Sequence, residues 1–205
     1  MSSPNADRPS ASASVSASAI ESDGEGARGP SPREEQNRAV VVYAHPCYDS
    51  FAAAMRVAAV AGLVRAGHEV TVLDLHRDGI DIAGPIPDDH LDALATADVF
   101  VLVYPTWWGG QPAILTGWMG LLVDLPGRAL PRARRAVAVT SHGSSQLSNA
   151  LGGRPGYHVL RRFTTITCAP RVKRDFVAFY GIDTVGAAAR TAFLDRVTER
   201  LSATR

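Results

Sequence analysis

From residue 39 onward the chain alternates short, unbroken apolar runs with longer segments whose apolar positions recur every three or four residues. The run Ala39-Val40-Val41-Val42-Tyr43-Ala44 carries no polar alternation, the pattern of a strand buried on both faces of a parallel sheet. Further strands are predicted at 69–73, 99–104, 135–140 and 164–168, with 99–104 the most apolar and therefore central. Helices are predicted at 51–66, 87–96, 111–123, 157–163 and 184–202. Ser50 is placed to cap the first of these and Gly67 to end it, while Pro112 suits the opening turn of the third. In the last one Phe193, Leu194, Val197 and Leu201 form an apolar stripe.

Strands that alternate with helices imply right-handed crossovers and a parallel sheet covered on both faces. Five strands predict a three-layer, doubly wound α/β domain with sheet order 2-1-3-4-5 over residues 39–205. Residues 1–38 differ in kind. Nine Ser, six Ala, four Pro and three Gly leave little to bury, so this segment is expected to be a disordered tail.

Composition removes several function classes. With 21 Lys+Arg against 20 Asp+Glu the formal charge is +1, too small to indicate a nucleic-acid partner. No stretch of about 18 apolar residues argues for membrane insertion, and the first residues lack a secretory pattern, so a cytoplasmic location is expected. Cys47 and Cys168 form no close pair, and the six histidines show no metal-ligand spacing, so no metal site is expected. Lys173 is the only lysine, and Val172-Lys173-Arg174 is not a P-loop.

Ligands of doubly wound sheets sit beyond the carboxyl ends of the strands. Three segments occupy those ends: His45-Pro46-Cys47-Tyr48-Asp49-Ser50-Phe51, Pro105-Thr106-Trp107-Trp108-Gly109-Gly110-Gln111-Pro112 and Thr140-Ser141-His142-Gly143-Ser144-Ser145. The first ends at a helix N-terminus, where Ser50, the unpaired N–H groups and His45 suit a phosphate. In the second, two tryptophans and two glycines suit a flat ring lying against backbone N–H groups. Hydroxyls and a histidine in the third suit a polar ring edge or a proton transfer; hydrolysis by Ser141 or Ser144 with His142 is a lesser reading, because no G-x-S-x-G turn is present. Trp118 is assigned to core or to an interface, and Arg154, Arg161, Arg162, Arg171 and Arg174 to a solvated face or a contact with an NADPH 2′-phosphate.

Val42-Tyr43-Ala44-His45-Pro46 with Ser50-Phe51, Tyr104-Pro105-Thr106-Trp107-Trp108-Gly109 with Pro112-Ala113-Ile114-Leu115 and Gly117-Trp118, and Thr140-Ser141-His142-Gly143 resemble the NAD(P)H:quinone oxidoreductases of the DT-diaphorase type. The resemblance covers residues 39–145 and implies a flavodoxin-like fold, FAD or FMN as cofactor, NADPH or NADH as electron donor and a quinone-like acceptor reduced in a ping-pong cycle. It implies that His45, Ser50 and Phe51 hold the phosphate and ribityl, and that Pro105, Thr106, Trp107, Trp108, Gly109, Thr140, Ser141 and Gly143 contact the ring. His142 is the catalytic candidate, stabilising charge on the reduced ring. Ala52, Thr116 and the pair Ser141-His142 depart from the family pattern of Asn, Lys and Thr-Gly at those places. A homodimer is implied, and an ancillary subunit of a potassium-efflux system or a one-electron carrier are alternative functions of the same fold.

Overall fold

The computed structural model describes residues 37–203, so the expected tail lies outside the described residues apart from its last two positions. Its elements run β1 (Arg38–Tyr43), α1 (Phe51–Arg65), β2 (Glu69–Asp74), α2 (Asp88–Thr96), β3 (Val99–Thr106), α3 (Ala113–Val123), β4 (Arg135–His142), α4 (Gln146–Leu151), α5 (Pro155–Thr167), β5 (Lys173–Tyr180) and α6 (Ala187–Ser202). The five strands form one sheet in the order β2-β1-β3-β4-β5, with each neighbouring pair parallel, as the sequence predicts.

Successive side chains of a strand point to opposite faces, so each central strand feeds two cores. Val40, Val42, Leu102 and Ala138 pack with Leu94 of α2, Leu115, Trp118 and Leu122 of α3, and Leu160 and Phe163 of α5. Val41, Val103 and Val139 pack on the other face with Met55 and Leu63 of α1 and Phe193, Val197 and Leu201 of α6. Trp118 therefore belongs to the core, where it is fully buried, and offers nothing to an interface.

Helix α1 ends where expected. Gly67 adopts φ +85°, its N–H bonds to the Val64 carbonyl, and the His68 N–H bonds to the Leu63 carbonyl, which closes the last turn in a Schellman arrangement. The β-branched segment at 164–168 is not the fifth strand. It completes α5, whose 13 residues extend beyond the predicted 157–163 and bury Leu160, Phe163, Thr164 and Thr167 at helical spacing. Thr164, Thr165 and Thr167 turn their hydroxyls back onto the carbonyls of Leu160, Arg161 and Phe163, so the residue type that favours strands is satisfied inside a helix. The fifth strand is Lys173–Tyr180, at the sheet edge, where a start in Lys173-Arg174-Asp175 is tolerated. Helix α4 is short and was not predicted.

Candidate functional site

The first loop is folded around one carbonyl. Cys47 O accepts from the Tyr43 hydroxyl at 3.1 Å and from Ser50 Oγ at 2.7 Å, and the Cys47 N–H donates to His45 Nδ1 at 3.1 Å. His45 Nδ1 also lies 3.0 Å from Cys47 O, so the ring is fixed through Nδ1 on the Cys47 backbone. Ser50 Oγ also accepts from the Ala53 N–H at 3.2 Å, so the hydroxyl acts as the N-cap of α1. The preceding N–H groups of the first turn have no partner within the helix, and the dipole favours an anion there. Phe51 reaches the site with its backbone only: its ring lies 5.1 Å from Phe179 and 6.0 Å from Phe193, in the core.

Strands β3 and β4 each run two residues further than predicted, and this extension builds the site. Register pairs Tyr104 with Thr140, Pro105 with Ser141 and Thr106 with His142, so loop residues 34 to 36 apart in sequence become neighbours. Thr106 Oγ1 and Thr140 Oγ1 share a hydrogen bond of 2.8 Å, and Thr106 Oγ1 lies 3.5 Å from His142 Nε2. Beyond Thr106 the chain reverses in a two-residue turn. Trp107 N–H donates to Gly110 O at 3.0 Å, Gly110 N–H donates to Trp107 O at 2.9 Å, and Trp108 and Gly109 both take positive φ, +52° and +79°. That is the backbone sign of a type I′ turn, costly for a tryptophan and easy for asparagine or glycine. The Trp108 ring is fully exposed, Trp107 half-exposed, and His45 meets Trp107 edge-on at 5.6 Å.

A cavity of about 490 Å³ lies between these strand ends, lined by Pro105 to Gly109, by Ser141, His142, Gly143 and Ser144, and by Ile182 and Asp183. Of the residues expected in the site, Pro105, Thr106, Trp107, Trp108, Gly109, Ser141, His142 and Gly143 meet here. Thr140 is buried behind them, while His45, Ser50 and Phe51 stand at the neighbouring N-terminus of α1. Ile182, Asp183 and the strand end at Tyr180 were missed. Gly181-Ile182-Asp183-Thr184 after an apolar run is a turn signal, and it marks a strand end only with the fifth strand at Lys173–Tyr180 rather than at 164–168.

His142 is buried and stacks on Tyr180, ring centroids 4.9 Å apart and 19° from parallel. Burial lowers its pKa below the ordinary 6.5 and raises that of Tyr180, against which the Arg154 charge pulls. The unfolded chain therefore takes up this proton first as pH falls. Stability from His142 is complete above about pH 6.5 and is lost as pH falls toward the folded value. Urea midpoints are expected to fall between pH 7.5 and 5.5 in the parent, and to fall less in His142→Phe, which keeps the stack and removes the proton.

Arg171 and Arg174 do not belong to this end of the sheet. They flank the start of β5, separated from its carboxyl end by roughly 23 Å of strand, so a nicotinamide nucleotide seated at the strand ends has no 2′-phosphate contact there. Arg174 is instead bound to Thr164 Oγ1 at 2.6 Å and Thr165 Oγ1 at 3.2 Å.

The donor set fits a flavin. An open slot has one wall of tryptophan at a left-handed turn, a floor of Thr106, backed by the buried Thr140 hydroxyl, and small loop residues, and a capped helix N-terminus at the same end of the sheet. Gly143 lies close to Asp183, since a Cβ there would meet Asp183 Oδ2 at 3.0 Å.

Comparison with known proteins bears on the same region. The family model described as flavodoxin-like fold matches residues 37–203. A human protein, ribosyldihydronicotinamide dehydrogenase [quinone], is 26% identical over 156 residues, 56% of this chain and 68% of its own. Among solved structures, an NAD(P)H:quinone oxidoreductase from Methanothermobacter marburgensis superposes with TM-score 0.66 at 21% identity, covering 82% of this chain and 96% of that one. An FMN-dependent NADH-azoreductase from Bacillus anthracis, in complex with FMN, superposes with TM-score 0.63 at 13% identity over 82% and 98% of the two chains. These two likenesses are of fold.

Proposed function

Because the chain belongs to the flavodoxin-like fold family, we propose that it is a flavin-dependent NAD(P)H oxidoreductase, reducing quinone-like acceptors by two electrons in a ping-pong cycle. The observation that carries this reading is the convergence at one end of the sheet of the tryptophan turn, the Thr106–Thr140 pair and the capped start of α1. The relatives named above, which act on quinones and nicotinamide nucleotides or bind FMN, support it.

FMN or FAD, when bound, supplies the hydride chemistry. The protein's part is to seat it. The first turn of α1 and His45 would hold the phosphate, with Ser50 keeping that turn formed. Trp107 and Trp108 would wall the ring, and Gly109 and Gly143, which carry no side chain, would let the backbone come close to it. His142 is neutral near pH 7, its pKa lowered by burial, so it offers one hydrogen bond toward the ring edge and no charge. Backbone N–H groups of the third loop are left to stabilise negative charge.

Trp108→Asn separates the wall from the turn. Asparagine accepts the left-handed backbone, so the melting temperature stays level or rises, while loss of the ring contact weakens FMN binding by about 1 kcal/mol, roughly fivefold; a fluorescence titration and a thermal melt read both. The function itself is tested by mixing the FMN-loaded protein anaerobically with NADPH and then with a benzoquinone. Bleaching by NADPH and full recovery of the oxidised spectrum on adding one equivalent of quinone is the expected result. Bleaching without recovery would remove the quinone reductase reading.

A further inference from the structure

The opposite end of the sheet holds a second cavity, of about 740 Å³, within the range of small-molecule sites. Seven of the cationic side chains of a nearly neutral protein line it, against the carboxylates of Asp98 and Asp175. Four of the seven are committed. Arg135 and Arg200 bind Asp175 at 2.6 and 2.8 Å and hold its carboxyl below the usual range, their hydrogen bonds outweighing the upward push of burial. Arg174 is spent on the threonines of α5.

Arg132 is engaged as well, and the remaining three, Arg134, Arg171 and Lys173, are arranged differently. The backbone N–H groups of Arg134 and Arg135 bond to the Asp98 carbonyl, and the buried Asp98 carboxylate accepts the Arg38 N–H, so the 132–135 segment is built around Asp98. Yet the guanidiniums of Arg132 and Arg134 stand 3.8 Å from Asp98 Oδ1, near enough to be oriented and too far for a hydrogen bond. Register sets Lys173 beside Arg135, and the Lys173 N–H bonds to the Arg134 carbonyl, which brings the two basic segments side by side. Arg171 precedes Lys173 with φ +73°, a left-handed backbone that an arginine adopts at a cost glycine would avoid.

We propose that this cavity binds an oligophosphate, the chain of two or three linked phosphates carried by nucleotides or found free. Three cations, Arg134, Arg171 and Lys173, on two adjacent segments match an extended polyanion rather than a single carboxylate, and guanidiniums pair with phosphate oxygens in two-pronged fashion. The site is independent of the flavin reading, and its test needs neither flavin nor turnover.

Inorganic tripolyphosphate is titrated calorimetrically into the full chain at low salt, with ATP as a parallel arm. One-to-one binding is expected, weakening as salt is raised, reduced at least tenfold in Arg134→Ala/Arg171→Ala/Lys173→Ala, and not displaced by excess FMN. Equal or tighter binding of ATP identifies a nucleotide as the source, and failure of ATP alone identifies a free oligophosphate; either supports the site. Arg171→Gly provides a variant that folds at least as well as the parent, with an equal or higher melting temperature, yet binds tripolyphosphate more weakly. Absence of binding to the parent, less than twofold loss in both variants, or displacement by FMN would overturn the proposal.

Discussion

Replacing Trp118 by alanine is expected to cost the fold about 3–5 kcal/mol, a large share of the roughly 5–15 kcal/mol that such domains possess. The ring is fully buried in the core formed by α2, α3, α5 and one face of the sheet. Its indole N–H donates to His90 Nδ1 at 3.3 Å, and His90, itself buried, presents Nε2 to Asp78 Oδ2 at 3.4 Å. Asp78 in turn accepts the Asp74 N–H, so the tryptophan anchors the end of β2 as well as filling space. Trp118→Phe separates the two contributions. It keeps most of the volume and leaves a buried acceptor on His90 unpaired, at a cost of about 1–3 kcal/mol. Equilibrium urea unfolding followed by far-ultraviolet circular dichroism reads both values, and equal losses in the two variants would show that the hydrogen bond carries the effect.

Gly62→Val is expected to destabilise by about 1–3 kcal/mol or more and to weaken flavin binding from a distance. Helices α1 and α6 approach so closely here that a Cβ on Gly62 would lie 2.6 Å from the Thr198 carbonyl oxygen and 2.9 Å from the Leu201 Cβ. The oxygen is backbone and cannot swing away, so the helix itself must shift. Thr198 also donates its hydroxyl to the Ala58 carbonyl one turn earlier, a bond that the shift would stretch. Since α1 begins at Ser50 beside the cavity, its displacement moves the N–H groups assigned to the phosphate. Urea midpoints and FMN affinity are expected to fall together; a loss of stability with unchanged affinity would detach the helix start from the flavin site.

The sheet was legible because burial on both faces leaves an unambiguous record: Val40, Val41 and Val42 have no polar neighbour to set a helical period, and the strands they announce pair in the order anticipated. The misplaced strand marks where propensity fails. Thr164, Thr165 and Thr167 look extended, yet tertiary packing of Leu160 and Phe163 and the hydroxyl bonds to preceding carbonyls keep them helical. At the edge, Lys173-Arg174-Asp175 hid a strand in which Asp175 is answered by Arg135 and Arg200, and Arg174 by the threonines of α5. The three loops of the site were legible as strand ends, and the two added residues on β3 and β4 then fixed which of them face each other. Tyr180 and Asp183 were invisible because their place in the site depends on where β5 lies, and the positive φ of Trp108 is a property of the folded turn.

The central claim is that this chain holds a flavin where those loops meet. Its most direct test is titration of the purified, flavin-free protein with FMN and FAD, reading the flavin absorption bands together with the quenching of tryptophan fluorescence. Saturation at one flavin per chain, a shifted spectrum, and quenching that diminishes in Trp108→Asn are the results predicted. Unshifted spectra and unquenched tryptophans with both flavins would contradict the claim and leave a flavodoxin-like domain whose strand-end cavity serves another ligand.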